Sequence, residues 1–186
     1  MLDRRPSVKK QPELTDKTRN KIANAFCQIY ANSPIEKVFV KDVMKLAGYN
    51  RSTFYQYFED IYSLRDYVEN DVLKSIKFRM KESGNSANEL LQFYEEKEEI
   101  LKALFGNYGS IHFLNKLKNE LLPYVELQLS NIPEKYRAYI EEFHINTTVS
   151  LFRLWISRNK DIGQEELFEL IHILYNNGCT AVEILG

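Results

Sequence analysis

Apolar residues recur at intervals of three and four along most of the chain, a spacing typical of helices that bury one face. Val40, Val43, Met44 and Ala47 form the clearest such stripe. No segment shows the strict alternation of apolar and polar residues that marks a half-buried strand. The pattern therefore predicts an all-α fold, with helices over residues 15–32, 40–47, 51–58, 63–81, 90–94, 100–105, 111–129, 136–157 and 165–185.

Two short helices separated by a glycine occupy residues 38–58. Gly48 stands where a helix can end in the left-handed region, and Asn50 offers a side-chain oxygen to cap the next helix. Phe54 and Phe58 lie four positions apart and would anchor the second helix. Its other side chains include hydroxyls, an amide and a guanidinium, which suit phosphates and base edges. The segment therefore predicts a helix-turn-helix whose second helix enters the major groove of DNA.

The run LAGYNRSTFYQYFED at residues 46–60, followed by Leu64, resembles the DNA-binding signature of TetR/AcrR-type transcriptional regulators. The resemblance covers about residues 15–70 and implies a DNA-binding head at 15–62. Ahead of it we expect a basic flexible arm at 1–14, and after it a helical effector-binding and dimerisation body at 63–186, entered through a linking helix at 63–81. The family usually has a basic residue directly after the phenylalanine that stands here at position 58, and that residue contacts a phosphate. This chain has Glu59-Asp60 instead, so whether a phosphate is contacted at this position stays open.

Nine side chains of the head are candidates for contact with DNA. Ser52, Tyr55 and Gln56 occupy the outward face of the second helix, where they would reach base edges. The other six are better placed for phosphates, which fix register without reading sequence: Lys41, Lys45, Asn50, Arg51, Thr53 and Tyr57. Packing beside Phe58 is the alternative for Tyr57, and a solvated surface is the alternative for the two lysines.

The distribution of charge agrees with a DNA-binding head, although the net charge of the 186-residue chain is only −1. Residues 1–60 contain 11 Lys and Arg against 7 Asp and Glu, whereas the remainder contains 14 against 19. The positive charge thus accompanies the helix-turn-helix. No apolar run is long enough for a membrane span, and the N-terminus lacks the apolar core of a signal peptide, so we expect a cytoplasmic protein with no membrane partner.

Motifs for catalysis and metal binding are absent from the sequence. Cys27 and Cys179 form no CxxC or Cys/His cluster, and His112, His144 and His172 each lie alone on a helix. The chain has no GxSxG elbow, phosphate-binding glycine loop or HExxH motif. We therefore expect no enzyme activity, no metal and no cofactor.

The C-terminal half is similar to the effector domain of small TetR-type regulators, through Phe143 to Trp155, a glycine-containing turn and Glu165-Glu166-Leu167. This resemblance implies a homodimer formed by the last two helices, with candidate interface residues Leu151, Leu154, Trp155, Leu167, Leu170, Ile171, Leu174 and Tyr175. It also implies a pocket for a small-molecule effector. Aromatic and polar residues that could line it are Tyr94, Phe105, Tyr108, His112, Phe113, Tyr139, Phe143, His144 and Thr147, which an ordinary packed core would explain equally well.

These observations favour a dimeric transcriptional regulator of double-stranded DNA, a repressor that binds a palindromic operator under the control of a small-molecule effector. The alternative is a helical protein-interaction module whose DNA-binding head is degenerate. The acidic pair at residues 59–60 and the near-neutral net charge give that alternative some support.

Overall fold

The computed structural model describes residues 12–83, 87–121 and 132–183 and is all-helical over these ranges, as predicted. In chain order the helices are α1 (Pro12–Tyr30), a 3-10 turn (Ile35–Lys37), α2 (Val40–Ala47), α3 (Arg51–Phe54), α4 (Ile61–Ser83), α5 (Ala87–Phe105), α6 (Ile111–Leu121), α7 (Glu134–Ser157) and α8 (Gln164–Glu183). The first eleven residues, which hold most of the predicted arm, lie outside the described ranges.

The long helix α4 begins at a reciprocal pair of caps. The Asp60 carboxylate accepts a hydrogen bond from the Ser63 backbone N–H at 2.7 Å, and the Ser63 hydroxyl oxygen accepts from the Asp60 N–H at 3.1 Å. This arrangement satisfies backbone donors that a helix N-terminus otherwise leaves unpaired. The linking helix therefore starts at Ile61, two residues earlier than predicted, and continues to Ser83.

Helix α5 is a single element with a kink, where the apolar pattern predicted two separate helices. Lys97 adopts φ −120° and ψ 18°, outside the helical region, and divides the helix in two. The apolar stripes on either side, which include Phe93 and Leu101, both face the core. The polar run at residues 95–99 separates the two apolar stripes in the sequence, and the kink lies within that run.

The connection from α7 to α8 is tight and strained. Asn159 and Lys160 both have left-handed backbone conformations, with φ of 54° and 59°. Trp155 donates its indole N–H to the Ile162 carbonyl oxygen at 2.8 Å, which ties the end of α7 to the turn. Lys160 pairs with Glu98 of α5 and lies over the Tyr94 ring, so this turn is fastened to α5.

One continuous core joins the head to the body among the described residues. Buried residues of α1, including Ile22 and Phe26, belong to the same cluster as Leu104 of α5 and Phe113 of α6. Helix α1 packs against both α2 and α5. The Tyr30 hydroxyl adds a polar link, donating to the Tyr108 carbonyl oxygen at 2.8 Å in the connection between α5 and α6. The head is therefore joined to the body by packing as well as by α4.

Cys27 is a free thiol in this core, with none of its surface exposed. Burial raises the pKa of the thiol to about 12, with Glu99 raising it further and Lys97 lowering it. A thiol that stays protonated and buried is an inert apolar side chain. The side chain of Cys179 lies outside the described part of the chain.

Candidate nucleic-acid interface

The turn between α2 and α3 depends on Gly48. Its backbone has φ +76°, and the following Tyr49 N–H donates to the Met44 carbonyl oxygen at 3.0 Å, closing the end of α2. A Cβ added at Gly48 would meet no atom within 4 Å, so space does not demand glycine here. The left-handed backbone does, because other residues reach that region only with strain. The predicted helix end at this position is therefore present.

The second helix of the pair is shorter than predicted. Helix α3 ends at Phe54 rather than near Phe58, and residues 55–57 continue as a turn in which the Gln56 N–H reaches the Thr53 carbonyl oxygen at 3.3 Å. Asn50 occupies the cap position but makes no side-chain cap hydrogen bond, so the prediction of an Asn50 side-chain cap was wrong. We refer to residues 51–57 as the recognition segment.

Three aromatic rings hold the recognition segment against the head. Phe54 is fully buried, and its ring centroid lies 5.5 Å from that of Phe58. The Phe58 ring in turn meets Tyr67 of α4 edge-on at 5.4 Å. Such contacts fix a segment too short to be helical alone. The prediction that Phe54 and Phe58 belong to the core is confirmed.

The candidate DNA-contacting side chains lie outside these anchors. Tyr55 is 62% exposed and is the most exposed aromatic residue of the recognition segment. Thr53 and Tyr57 are half-buried. The others are exposed: Lys41, Lys45, Asn50, Arg51, Ser52 and Gln56. The structure thus presents a polar, partly cationic surface around one exposed tyrosine.

The acidic pair after Phe58 has a structural use. Asp60 caps α4 through its carboxylate. This acidic residue therefore has a structural role, at a position where the sequence suggested a weakened DNA contact. Glu59 is exposed, and its backbone N–H donates to the Ser63 hydroxyl at 3.1 Å.

Sequence reasoning missed two cations near this surface. Arg19 of α1 lies over the ring of Tyr57, the last residue of the recognition segment, and Lys21 lies over the ring of Tyr49, just before it. No local signal marks them, because they come from a helix about 30 residues earlier and approach only through tertiary packing.

A buried carboxylate lies on α4 close to α1 and α6. Glu69 is 5% exposed, and its Oε1 lies 3.4 Å from Arg65 Nε. Burial raises the pKa of the Glu69 carboxyl to about 7, against the lowering effect of Arg65. The neighbouring Asn70 accepts from Lys116 of α6 at 2.6 Å. The Asn70–Lys116 hydrogen bond therefore joins α4 to α6 of the body.

The predicted effector-pocket residues are divided between the core and the surface. Three of them are buried and packed in an aromatic cluster with Phe152 and Trp155: Tyr94, Phe105 and Phe113. His144 and Thr147 are half-buried, and the other four are exposed: Tyr108, His112, Tyr139 and Phe143. The nine residues therefore do not line one enclosed cavity. Burial lowers the pKa of His144, whose ring lies against Tyr175.

The predicted dimer residues also fall into two groups. Trp155, Leu167, Ile171 and Tyr175 are buried within the subunit, and Leu151 is half-buried. Leu154, Leu170 and Leu174 are between 41% and 52% exposed. The first group belongs to the subunit's own core, whereas the second lies on an apolar outer face of α7 and α8.

A cleft of about 570 Å³ separates α4 from α5, away from the predicted pocket residues. Its walls carry both charges and aromatic rings: Lys74, Ser75, Phe78, Arg79, Glu82, Phe93, Glu96 and Lys97. Two of its cations are already paired, Arg79 with Glu96 and Lys97 with Asp71. The described residues include no group of acidic, histidine or cysteine side chains arranged to hold a metal ion. None of the described helices is both long and apolar enough to cross a membrane.

Comparison with known proteins agrees with this architecture. Residues 81–177, just over half of the chain, match the model of a TetR-type "transcriptional regulator C-terminal region". The fold is similar to that of a TetR transcriptional regulator from Streptococcus agalactiae 2603V, with a TM-score of 0.63 and 21% identity over 88% of this chain and 96% of the other. It is also similar to the dihydroxyacetone kinase operon activator DhaS, with a TM-score of 0.58 and 21% identity over 89% and 97%. No curated protein matches the chain by sequence.

Proposed function

Because the chain belongs to the TetR family of DNA-binding transcriptional regulators, we propose that it binds a palindromic operator as a homodimer and represses transcription under the control of a small molecule. One observation carries the DNA-binding part. The recognition segment is anchored by buried Phe54 and Phe58 and leaves four side chains exposed: Arg51, Ser52, Tyr55 and Gln56. An exposed aromatic ring on a polar segment is suited to a groove.

Within this interface, Ser52, Tyr55 and Gln56 read base edges. Gln56 can pair with an adenine through its amide, and Tyr55 can contact a thymine methyl group. Lys41, Lys45, Asn50, Arg51 and Thr53 contact phosphates, which position the segment. Tyr55→Ala is expected to relax sequence selection, whereas Lys45→Gln is expected to weaken binding equally on every duplex.

The homodimer is proposed on the exposed apolar face of α7 and α8. Phe143 and Leu154 of α7 and Leu170, Ile173 and Leu174 of α8 are between 41% and 54% exposed. The two helices pack against each other, and we propose that these side chains form one apolar surface across the pair. Contiguous apolar surface is rare on a monomer and typical of an interface. A two-fold dimer would also place two recognition segments on a palindrome.

Sedimentation equilibrium tests this interface. Leu174→Glu introduces a charge into the apolar face and is expected to shift the protein toward monomer. Asn115→Glu introduces the same charge at an exposed position of α6 and is expected to leave the assembly unchanged. A Leu174→Glu protein that is folded and associates like the wild type would refute this placement of the interface.

Repression would follow from occlusion, because a dimer seated on a promoter excludes the polymerase. A reporter placed behind the selected operator tests the direction of control. Lower expression with the protein present is expected. Higher expression would show that the protein activates transcription instead, as the name of the operon activator DhaS describes for that protein.

Effector control is proposed on the contacts that join head and body. Helix α1 packs on α5, Tyr30 bonds to the Tyr108 carbonyl, and α4 is tied to α6 by Asn70–Lys116. A molecule that moves α5 or α6 must therefore move the head. By thermodynamic linkage, the effector lowers the affinity for DNA by the same factor by which DNA lowers the affinity for the effector.

Tyr94 is the residue of the body on which we place the effector. It is 3% exposed, and its hydroxyl has no hydrogen-bond partner among the described residues. Burial raises the pKa of this hydroxyl to about 12, so it is a neutral donor. A buried orphan hydroxyl is suited to a polar group of a ligand. A thermal-shift screen of small polar molecules, repeated with Tyr94→Phe, tests this: hits that stabilise the wild type should lose their effect in the variant.

The competing function is a protein-interaction module with a degenerate head. Its main support was the acidic pair at residues 59–60, and the capping role of Asp60 supplies a different reason for one of those charges. Salt separates the two functions. A DNA reader loses duplex affinity steeply as salt rises, because phosphate contacts release counterions. Absence of duplex binding at low salt would favour the interaction module.

A further inference from the structure

Two cations of α1 lie at the two ends of the recognition segment. The Arg19 guanidinium carbon is 5.6 Å from the Tyr57 ring centroid, and Lys21 Nζ is 5.9 Å from the Tyr49 ring centroid. Tyr49 directly precedes the cap of α3, and Tyr57 closes the turn that follows it. The exposed row of the recognition segment thus has one α1 cation beside each end.

The geometry of α1 explains how one helix reaches both ends. Residues two apart on a helix project to roughly opposite sides, since each residue turns by about 100°. Arg19 and Lys21 therefore flank Ile22, which is fully buried and fixes the rotation of α1 in the core. Ile22 and Phe54 both belong to the core, which holds α1 and the recognition segment in place without DNA.

The tyrosine rings hold these cations in place. A cation within about 6 Å of an aromatic centroid is attracted to the ring face. Holding a long side chain in advance removes part of the ordering cost of a later contact. The pair that Arg19 makes with Asp16 is 3.8 Å long and exposed, so it competes only weakly with a phosphate.

We propose that Arg19 and Lys21 are phosphate-binding residues that grip the DNA backbone at the two edges of the major groove. A segment in that groove lies between two phosphate strands, and the cations stand at its two ends. The Tyr57 ring then acts as a positioning residue for Arg19, in place of the direct phosphate contact expected from sequence. This inference rests on the proposed function.

The slope of log affinity against log salt concentration measures these contacts. The proposed homodimer carries two copies of each cation, so Arg19→Gln and Lys21→Gln each remove two phosphate contacts from a palindromic duplex and should make the slope shallower by about 1.8. Over a fourfold rise in salt, the wild type should lose about 12-fold more affinity than either variant. The loss should be equal on selected and scrambled duplexes, because phosphates carry no sequence information.

Matched variants identify the cause. Lys74→Gln removes the same charge from an exposed position of α4 in the body and should keep the wild-type slope. Arg19→Lys and Lys21→Arg should also keep it. Tyr57→Phe retains the ring and should keep the wild-type slope. Tyr57→Leu should make the slope as shallow as Arg19→Gln does, and the double variant should be no shallower than Arg19→Gln alone.

The outcomes separate this inference from the proposed function. A wild type that selects no duplex overturns the proposed function. A wild type that selects a palindrome with a steep slope, while folded Arg19→Gln and Lys21→Gln proteins keep that slope, overturns this inference alone. If Tyr57→Phe loses the contact, the tyrosine hydroxyl binds the phosphate and the positioning role is wrong. Circular dichroism of each variant reports folding independently of DNA.

Discussion

Replacing Glu69 with glutamine is expected to stabilise the protein at neutral pH. The Glu69 carboxylate is buried on α4, with Arg65 and Asp66 nearby on the same helix. Burial raises the pKa of the carboxyl from 4.5 to about 7, while Arg65 and Lys116 of α6 lower it. Tyr30 of α1 is close enough for Glu69 to raise the pKa of its hydroxyl, which burial brings to about 12. The charged carboxylate is therefore disfavoured in the folded chain.

The magnitude follows from the two pKa values. A rise from 4.5 to about 7 corresponds to about 3 kcal/mol, at about 1.36 kcal/mol per pH unit. Between these values the folded chain holds the proton more tightly than the unfolded chain, so the free energy of unfolding falls as pH rises. Below the lower value both states are protonated and the penalty vanishes. Above about 7 the full penalty is present.

Urea unfolding followed by circular dichroism, at one fixed protein concentration, measures this effect. The stability of Glu69→Gln relative to wild type should be near zero at about pH 4 and reach about 3 kcal/mol at about pH 8. Glu82→Gln, which removes an exposed carboxylate from the same helix, should show little change across this interval. A Glu69→Gln difference that stays constant with pH would show that Glu69 has the same pKa in the folded and the unfolded chain, and would refute the reasoning.

Two further substitutions test other contacts. Tyr30→Phe removes the hydrogen bond to the Tyr108 carbonyl and should lower the free energy of unfolding in urea by about 1 kcal/mol. An unchanged free energy of unfolding would show that this bond contributes nothing to stability. If the variant also changes how strongly an effector alters DNA binding, the bond lies on the route between body and head. Asp60→Ala removes the cap of α4 and should cost about 1 kcal/mol, while Asp60→Asn should cost less; equal losses in thermal unfolding would argue against capping.

The helix-turn-helix was predictable because its signals are local. Gly48 adopts the left-handed backbone expected from its position, and Val43 and Met44 are buried as their spacing predicts. The end of α3 was not predictable, because Phe54 and Phe58 can anchor either a helix or a turn that follows one. Both conformations place residues four apart on one side.

The body was less predictable because its helices carry apolar residues on more than one face. In α7, Phe143 is 54% exposed whereas Ile140 and Ile145 are buried, and an aromatic side chain gives no sign of which group it belongs to. Contacts between distant elements, such as Arg19 over Tyr57, depend on how α1 packs in three dimensions. The residues themselves therefore predicted the head and the fold class. The pocket was predicted only because the family resemblance implies one.

Selection of binding sites from a random duplex library tests the central claim, with Tyr55→Ala selected in parallel. The wild type should enrich a palindrome whose half-sites lie about 10 base pairs or a multiple apart. Tyr55→Ala, which removes the most exposed aromatic ring of the recognition segment, should lose this enrichment while remaining folded. No enrichment by a folded wild-type protein at low salt would contradict the account and favour a protein partner for the head.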